Sequence, residues 1–413
     1  MPDDPLRPNL AAVPPVPHTP RFRRPVALAG LPSEVLALAA VAFLVALGFG
    51  VVAPAIPLFA RQFGVSRTAA GAVISVFAGA RLIAAPFTGR LVNRFGERIM
   101  LATGIAVVAV SSLMAGFSES YWQLLALRGA GGVGSIMFSV SASSLLIRVT
   151  PGHLRGRAQG VFGGGFLLGA IAGPALGVVA SVSLRAPFFL YAGTLVFAGW
   201  VGLWALRTST LAAKSDSRDG PVLKLGTALR DRAYRATLVV NLAEDWAVIG
   251  TRSALVPLFV ADRLGLSSIW TYIGFFVVSV VSGSLLLPFG RYVDTKGRRP
   301  ALIFGLAMGG VGLATLPLLP NAVGLLLAMA LLGVSGAALS VASGAMLGDI
   351  VGGRGGTVVA TYQMAGDVGS FAGPLCAGAV ADAHSYAASF GLAAAITTVP
   401  IALVATSRET RRP

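Results

Sequence analysis

The sequence predicts an all-α membrane protein with twelve transmembrane helices in two pseudo-symmetric six-helix bundles. Three observations predict it. First, hydrophobic residues make up 55% of the 413 positions and charged ones only 12%, with a mean hydropathy of +0.80. Soluble globular chains carry about 25% charged residues. Second, apolar runs of about 20 residues recur along the chain, the length a helix needs to cross hydrocarbon. Third, the chain repeats itself at an offset of 200 or 201. Gly89-Arg90-Leu91-Val92-Asn93-Arg94-Phe95-Gly96-Glu97-Arg98 returns as Gly290-Arg291-Tyr292-Val293-Asp294-Thr295-Lys296-Gly297-Arg298-Arg299. Pro57-Leu58-Phe59 returns at 257–259, and Gly169, Gly173 and Pro174 return as Gly369, Gly373 and Pro374. Such duplication is the build expected of a secondary transporter, with its site between the halves.

The elements follow in order. Residues 1–33 hold nine prolines and no long apolar run, which predicts a disordered tail rather than a signal peptide. Six apolar runs cover roughly 35–60, 68–89, 99–118, 122–147, 157–181 and 187–206. They form an expected bundle over 34–206. A polar stretch, 207–235, contains Ser215, Asp216, Ser217, Arg218, Asp219, Gly220 and Pro221 and reads as a linker. Six more runs, roughly 236–260, 269–289, 300–318, 322–346, 357–381 and 387–406, form the second bundle, 236–406. A basic tail, 407–413, closes the chain. In a bilayer only helices or closed barrels satisfy the backbone, and these continuous runs lack the alternation of barrel strands. The short loops leave no room for a soluble catalytic domain, so no enzymatic activity is expected.

The net charge of +16 invites a nucleic-acid reading, but its distribution argues against one. With both termini placed in the cytoplasm, 25 of the 32 Lys and Arg fall in inner loops and tails. Arg61, Arg67, Arg185 and Arg263 fall outside, and Arg81, Arg128 and Arg252 lie within helices. This is the positive-inside bias, so the basicity reports topology. Cys376 is the single cysteine, which excludes an intrachain disulfide. The histidines, His18, His153 and His384, fall in tail and loops, and no Gly-Lys-Ser/Thr follows a glycine run, so neither a metal site nor an ATP site is expected. The predominance of Arg over Lys214, Lys224 and Lys296, with abundant Ala, Gly and Val, points to a bacterial source and hence its inner membrane.

These motifs resemble the major facilitator superfamily, and within it the twelve-helix drug:proton antiporters, over essentially all of residues 35–406. Gly89, Leu91, Arg94, Gly96 and Arg98 match the family's signature loop, with Asn93 where the family has Asp and Glu97 where it has Arg. The second copy keeps the acid as Asp294, beside Gly290, Gly297, Arg298 and Arg299. The resemblance implies that these loops brace a gate at the cytoplasmic side through charge pairs and a helix N-terminus. An acid is favoured there by the helix dipole, and Asn93 brings no charge, so the second copy is expected to carry more of the brace. Gly160, Gly169, Gly173, Pro174 and Gly177 are similar to the family's antiporter motif, with Val178 departing from it. That likeness implies export, through a kinked helix with a smooth glycine face. Arg128, Gly132 and Gly134 resemble a motif whose Arg is implicated in proton transfer.

The buried charges are the candidate coupling site. Asp245 and Arg252 are seven residues apart, on one face of an ideal helix, with Glu244 about 100° away. Asp367 has no cation of its own helix within a turn, and ranks first as proton carrier, ahead of Asp245 and Glu244, with Arg128 counted beside them as a coupling residue through the motif it resembles. Such a group must be an acid whose proton affinity changes between dry and hydrated states. Arg81 and Arg252 are the expected intramembrane charge partners. Trp246, Tyr272, Phe276, Tyr362 and Gln363 lie on helices the family uses as cavity walls.

The expected function is proton-coupled multidrug efflux: export of small amphiphiles by rocker-switch alternating access. The proton gradient drives it, no cofactor takes part, and the chain acts as a monomer. The alternative is a proton-coupled or facilitated transporter of a polar nutrient such as a sugar, organic acid or amino acid, with the three helix arginines available to a carboxylate. A non-transporting sensor has no extra domain in its favour.

Overall fold

The computed structural model describes residues 31–151, 154–177, 183–206, 225–351 and 356–410. The expected tail over 1–30, His153, Val178, the linker over 207–224 and the last three residues lie outside the described residues, as does the side chain of Asn93. Among the described residues every regular element is helical.

The first bundle begins with α1 (Ser33–Val52) and α2 (Ala55–Arg61). They make one passage broken at Ala53 and Pro54, where Pro54 has no amide to donate. α3 (Arg67–Phe95) starts at Ser66, whose hydroxyl accepts from the Ala69 amide at 3.2 Å. It stops at Gly96, whose φ of +83° lies where a side chain would be strained. α4 (Glu97–Gly116) leaves directly from that glycine. α5 (Tyr121–Val149) opens on a capping box of Ser120 and Gln123. α6 (Arg155–Leu176) contains Pro174, and α7 (Ala186–Leu206) completes the group.

The second group repeats the pattern after the short α8 (Leu225–Arg230). α9 (Arg232–Asp245), a π-helical segment (Trp246–Arg252) and α10 (Ser253–Asp262) form one passage. α11 (Ser268–Lys296) ends at Gly297, φ +109°, the counterpart of Gly96, and α12 (Arg298–Leu318) departs from it. α13 (Ala322–Val351), α14 (Gly356–Ala383), α15 (Tyr386–Thr398) and α16 (Pro400–Ala405) follow. Among the described residues, the expected runs lie largely on these helices.

Ten helical stretches among the described residues are long and apolar enough to cross a membrane. The other two expected passages coincide with α9 to α10, which carries Glu244, Asp245 and Arg252, and with α14, which carries Asp367 and Asp382. The outward faces stay apolar: Trp122 is 73% exposed, Trp200 59% and Leu318 76%. In water this surface would be unfavourable, whereas lipid matches it.

The repeat in the sequence is a repeat in packing. A Cβ on Gly173 would lie 2.7 Å from the Gly50 Cα, and one on Gly373 would lie 2.7 Å from the Gly250 Cα. The same crossing, 200 positions apart, packs α6 on α1 and α14 on the π segment. Glycine is required at both because the backbones touch. Between the halves, α3 lies along α14 and α6 along α11. Their hydrogen-bonded contacts concentrate from the end bearing Arg67 and Asp382 to mid-helix, at Arg81 and Asp367.

Candidate functional site

Arg81 is the middle residue of α3, about 21 Å from either end at helical rise. Its Nε donates to Asp367 Oδ1 on α14 at 3.2 Å, and its Nη1 donates to Ser135 Oγ on α5 at 2.8 Å. The two charged side chains are 20% and 17% exposed. This ion pair joins the halves at mid-depth. A lone charge at that depth costs about 2.5–3.5 kcal/mol, so the pairing is what lets both reside there. From sequence, Asp367 has no partner on its own helix; the partner comes from the opposite half.

Asp245 approaches the same pair. Ser370 Oγ, one turn along α14 from Asp367, donates to Asp245 Oδ2 at 3.4 Å. A Cβ on Gly366 would stand 2.5 Å from that oxygen and 2.6 Å from Asn241 Nδ2, so this glycine makes room for both polar groups. Asn241 is held by the Tyr362 carbonyl, to which it donates at 2.8 Å. The charged groups near Asp245 are Asp367, Arg81 and the adjacent Glu244.

Arg252 does not share the Asp245 face. Seven positions return to one face only on an α-helix, and here Trp246–Arg252 is π-helical, with more residues per turn. The acid facing Arg252 is therefore Glu244, and its guanidinium also lies 5.4 Å from the Phe275 ring centroid. The Arg252 Nε has no hydrogen-bond partner among the described residues.

Arg128 is 4% exposed, packed inward rather than reaching for the helix end. Its guanidinium carbon sits 4.4 Å over the Phe77 ring, a cation–π contact, and its Nε has no partner among the described residues. Tyr191 of α7 faces both Arg128 and Arg81.

At the end bearing the signature loops, Gly89 and Gly290 have open space around them, while Gly96 and Gly297 form the helix breaks. Arg94 lies 5.4 Å from the Phe95 ring. Arg98 belongs to the first turn of α4. Asp294 is 76% exposed and 3.9 Å from Arg298. The acid at the N-terminus of α12 is instead Glu409 of the C-terminal tail, which accepts from the Arg298 and Arg299 amides at 2.9 and 3.0 Å. Arg298 itself binds Asp349 at 2.9 Å.

In the antiporter motif, Gly160 meets nothing, whereas Cβ atoms on Gly169 and Gly173 would strike α1 carbonyls. Gly177 faces the Tyr272 ring across the halves. Tyr272 is 2% exposed and donates to the Val51 carbonyl at 3.2 Å, so it is a closure contact rather than a cavity wall. Trp246 and Tyr362 are half-buried, and Phe276 and Gln363 are exposed.

Charges at the far end form a cluster absent from the expected site. Asp382 accepts from the Thr68 amide and hydroxyl at 2.8 and 2.7 Å, and from the Arg67 amide at 3.2 Å. Arg67 Nε donates to Tyr386 Oη at 2.8 Å, and that hydroxyl donates to Asp262 at 2.7 Å. The available signal was charge at the ends of otherwise apolar runs.

The Major Facilitator Superfamily model matches residues 38–321 and 253–413. The chain is 28% identical over 367 residues to Multidrug resistance protein MdtG of Proteus mirabilis (strain HI4320), covering 86% of this chain and 90% of that one. It is 27% identical over 366 residues to the protein of the same name from Salmonella choleraesuis (strain SC-B67), with the same coverage. The fold superposes with a TM-score of 0.72 on a bacterial homologue of the human lysosomal transporter Spinster, solved in an inward-facing and unoccupied conformation. That likeness is at 15% identity and covers 90% of this chain and 95% of the other. With duplicated helical bundles, a charged contact between them and a family match along nearly the whole chain, the protein belongs to the Major Facilitator Superfamily.

Proposed function

We propose that this protein is a proton-coupled antiporter exporting small amphiphilic compounds across the bacterial inner membrane. Its two six-helix bundles, 34–206 and 236–406, span the membrane twelve times, with both termini and the 207–235 linker in the cytoplasm. The contacts clustered around Arg67, Asp382 and Tyr386 then close the outer side, so the form described faces inward. The names of the MdtG relatives support drug-like cargo.

The observation that carries the reading is the Arg81–Asp367 pair between the halves. Proton release from Asp367 to the cytoplasm leaves the carboxylate that holds Arg81. Substrate entering from the cytoplasm disrupts that tie and lets the halves part on the outer side. There Asp367, without its cation, takes up a proton as the cargo leaves. Proton and substrate thus alternate rather than bind together. Asp245 and Glu244 are further proton acceptors beside the pair, and Trp246, Phe276, Tyr362 and Gln363 are available as walls.

The test is flux in proteoliposomes holding a pH-sensitive dye, with cationic, neutral and anionic amphiphiles added under an imposed pH gradient. Compound-dependent proton movement, lost in Asp367→Asn, is expected. Exchange of a labelled sugar or amino acid with no amphiphile response would replace this reading with the nutrient carrier.

A further inference from the structure

The six intramembrane charges are divided unevenly. Arg81 and Arg128 belong to the first bundle, and Glu244, Asp245, Asp367 and Arg252 to the second. An unpartnered carboxylate in a dry site satisfies itself by taking a proton. An arginine has no such escape, because its guanidinium stays charged. A buried arginine without an acid therefore calls for an anion from elsewhere. Arg252 has Glu244 facing it, and Arg81 has Asp367. Arg128 forms no salt bridge with a described acid; it meets the Phe77 ring and faces the Tyr191 phenol. It is 4% exposed, and its Nε is unpartnered among the described residues.

Its surroundings extend the case. Ser135, which holds Arg81, lies two helical turns along the same face of α5, about 10 Å from Arg128. Tyr191 faces both guanidinium groups. The first bundle thus presents two cations in line on the route from the open end toward the closed one, and one of them is bound to an acid that can be displaced.

We propose that Arg128 anchors an anionic group of the cargo, a carboxylate, with the cargo's apolar body beside Phe77. This rests on the transport reading above and narrows its substrate class. An anion arriving at mid-depth first competes with Asp367 for Arg81, then settles on Arg128. Its export also gains from an inside-negative potential, which drives an anion outward.

The experiment uses the full-length protein in detergent and three matched probes: 1-naphthaleneacetate, 1-naphthaleneacetamide and 1-naphthaleneethylamine. Binding is read by tryptophan fluorescence. The carboxylate is expected to bind about tenfold or more tighter than the amide, the range of a hydrogen bond to a charged group. Arg128→Met should erase that preference, and Arg128→Lys should keep part of it. Equal or tighter binding of the amide or the amine by the wild-type protein overturns the proposal, as does failure to bind any of the three. So does an undiminished preference in Arg128→Met. The wild-type comparison needs no variant to fold. Proton flux in proteoliposomes separates the two readings. Flux driven by the amine alone leaves antiport standing without the anion anchor, and carboxylate exchange without proton movement does the reverse.

Discussion

Glu97 and Arg148 form a 2.8 Å ion pair that ties the start of α4 to the end of α5. At an offset of 201 from each stand Arg298 and Asp349, paired at 2.9 Å between α12 and α13. The two bundles keep the tie and exchange its signs. This accounts for Glu97, which departs from the family loop: its acid serves a local pair. Reversal in the first bundle alone, Glu97→Arg, should therefore destabilise, while Glu97→Arg with Arg148→Asp should recover. The pair is partly exposed, so the coupling should be about 0.5–1 kcal/mol. A double-mutant cycle on thermal unfolding in detergent measures it; equal losses in the single and double variants would show that the pair contributes nothing.

The far-end cluster should set the balance between inward- and outward-facing forms. Asp382 holds the N-terminus of α3 through Arg67 and Thr68, and its charge favours that helix end. Removing it by Asp382→Asn should cost the closed form about 1–2 kcal/mol after allowance for solvent, a shift of about 5–30-fold. Distances between spin labels placed on α3 and α14 near this end would report it as a new, longer population. An unchanged distribution would mean that Tyr272, through its contacts with Val51 and Gly177, suffices.

Much of the fold was legible because membrane helices announce themselves by length and apolarity, and the repeat by its constant offset. Gly96 and Gly297 were read as residues of the signature loops; that the helices break at them shows only in their positive φ. The site was legible in part. Asp367 and Arg81 stand out as charges in apolar runs, but their pairing across 286 positions depends on how α3 meets α14. The Asp245–Arg252 face was misplaced because a π segment carries no clear signature in Trp246–Arg252. Tyr272 read as a wall because an aromatic on a helix does not reveal which neighbour it meets. The brace by Asp294 gave way to Glu409, since a residue distant in sequence can reach a helix N-terminus that no spacing rule links to it.

The antiporter-motif glycines should separate into classes under substitution by Ala. Gly160 has open space, and its replacement should be neutral or slightly stabilising, as for alanine in a helix. A Cβ on Gly169 would lie 2.3 Å from the Phe43 carbonyl oxygen, within one bundle, so its replacement should lower thermal stability by about 1–3 kcal/mol. At Gly177 the Cβ would fall within the Tyr272 ring contact, between bundles. That variant should stay folded yet favour the outward-facing form. Cysteine accessibility beside Tyr272, compared with melting temperature, tells the last two apart; parallel losses of stability would refute the division.

The Arg81–Asp367 pair should be separable into a structural part and a coupling part. Asp367→Asn leaves Arg81 with Ser135 alone and should destabilise, because a charge at mid-membrane loses its counter-charge. Arg81→Met combined with Asp367→Leu removes both charges and should regain most of that loss, with a coupling of about 0.5–3 kcal/mol. Neither variant should carry protons, since neither retains an acid at position 367. Asp367→Glu should restore a proton response while shifting its pH dependence, as the longer side chain meets Arg81 differently. Dye-reported proton flux and unfolding in detergent, measured on the same four proteins, check this. A double variant that is stable and still couples cargo to protons would move the coupling to Asp245 or Glu244 and leave Arg81 and Asp367 as a tie between the bundles.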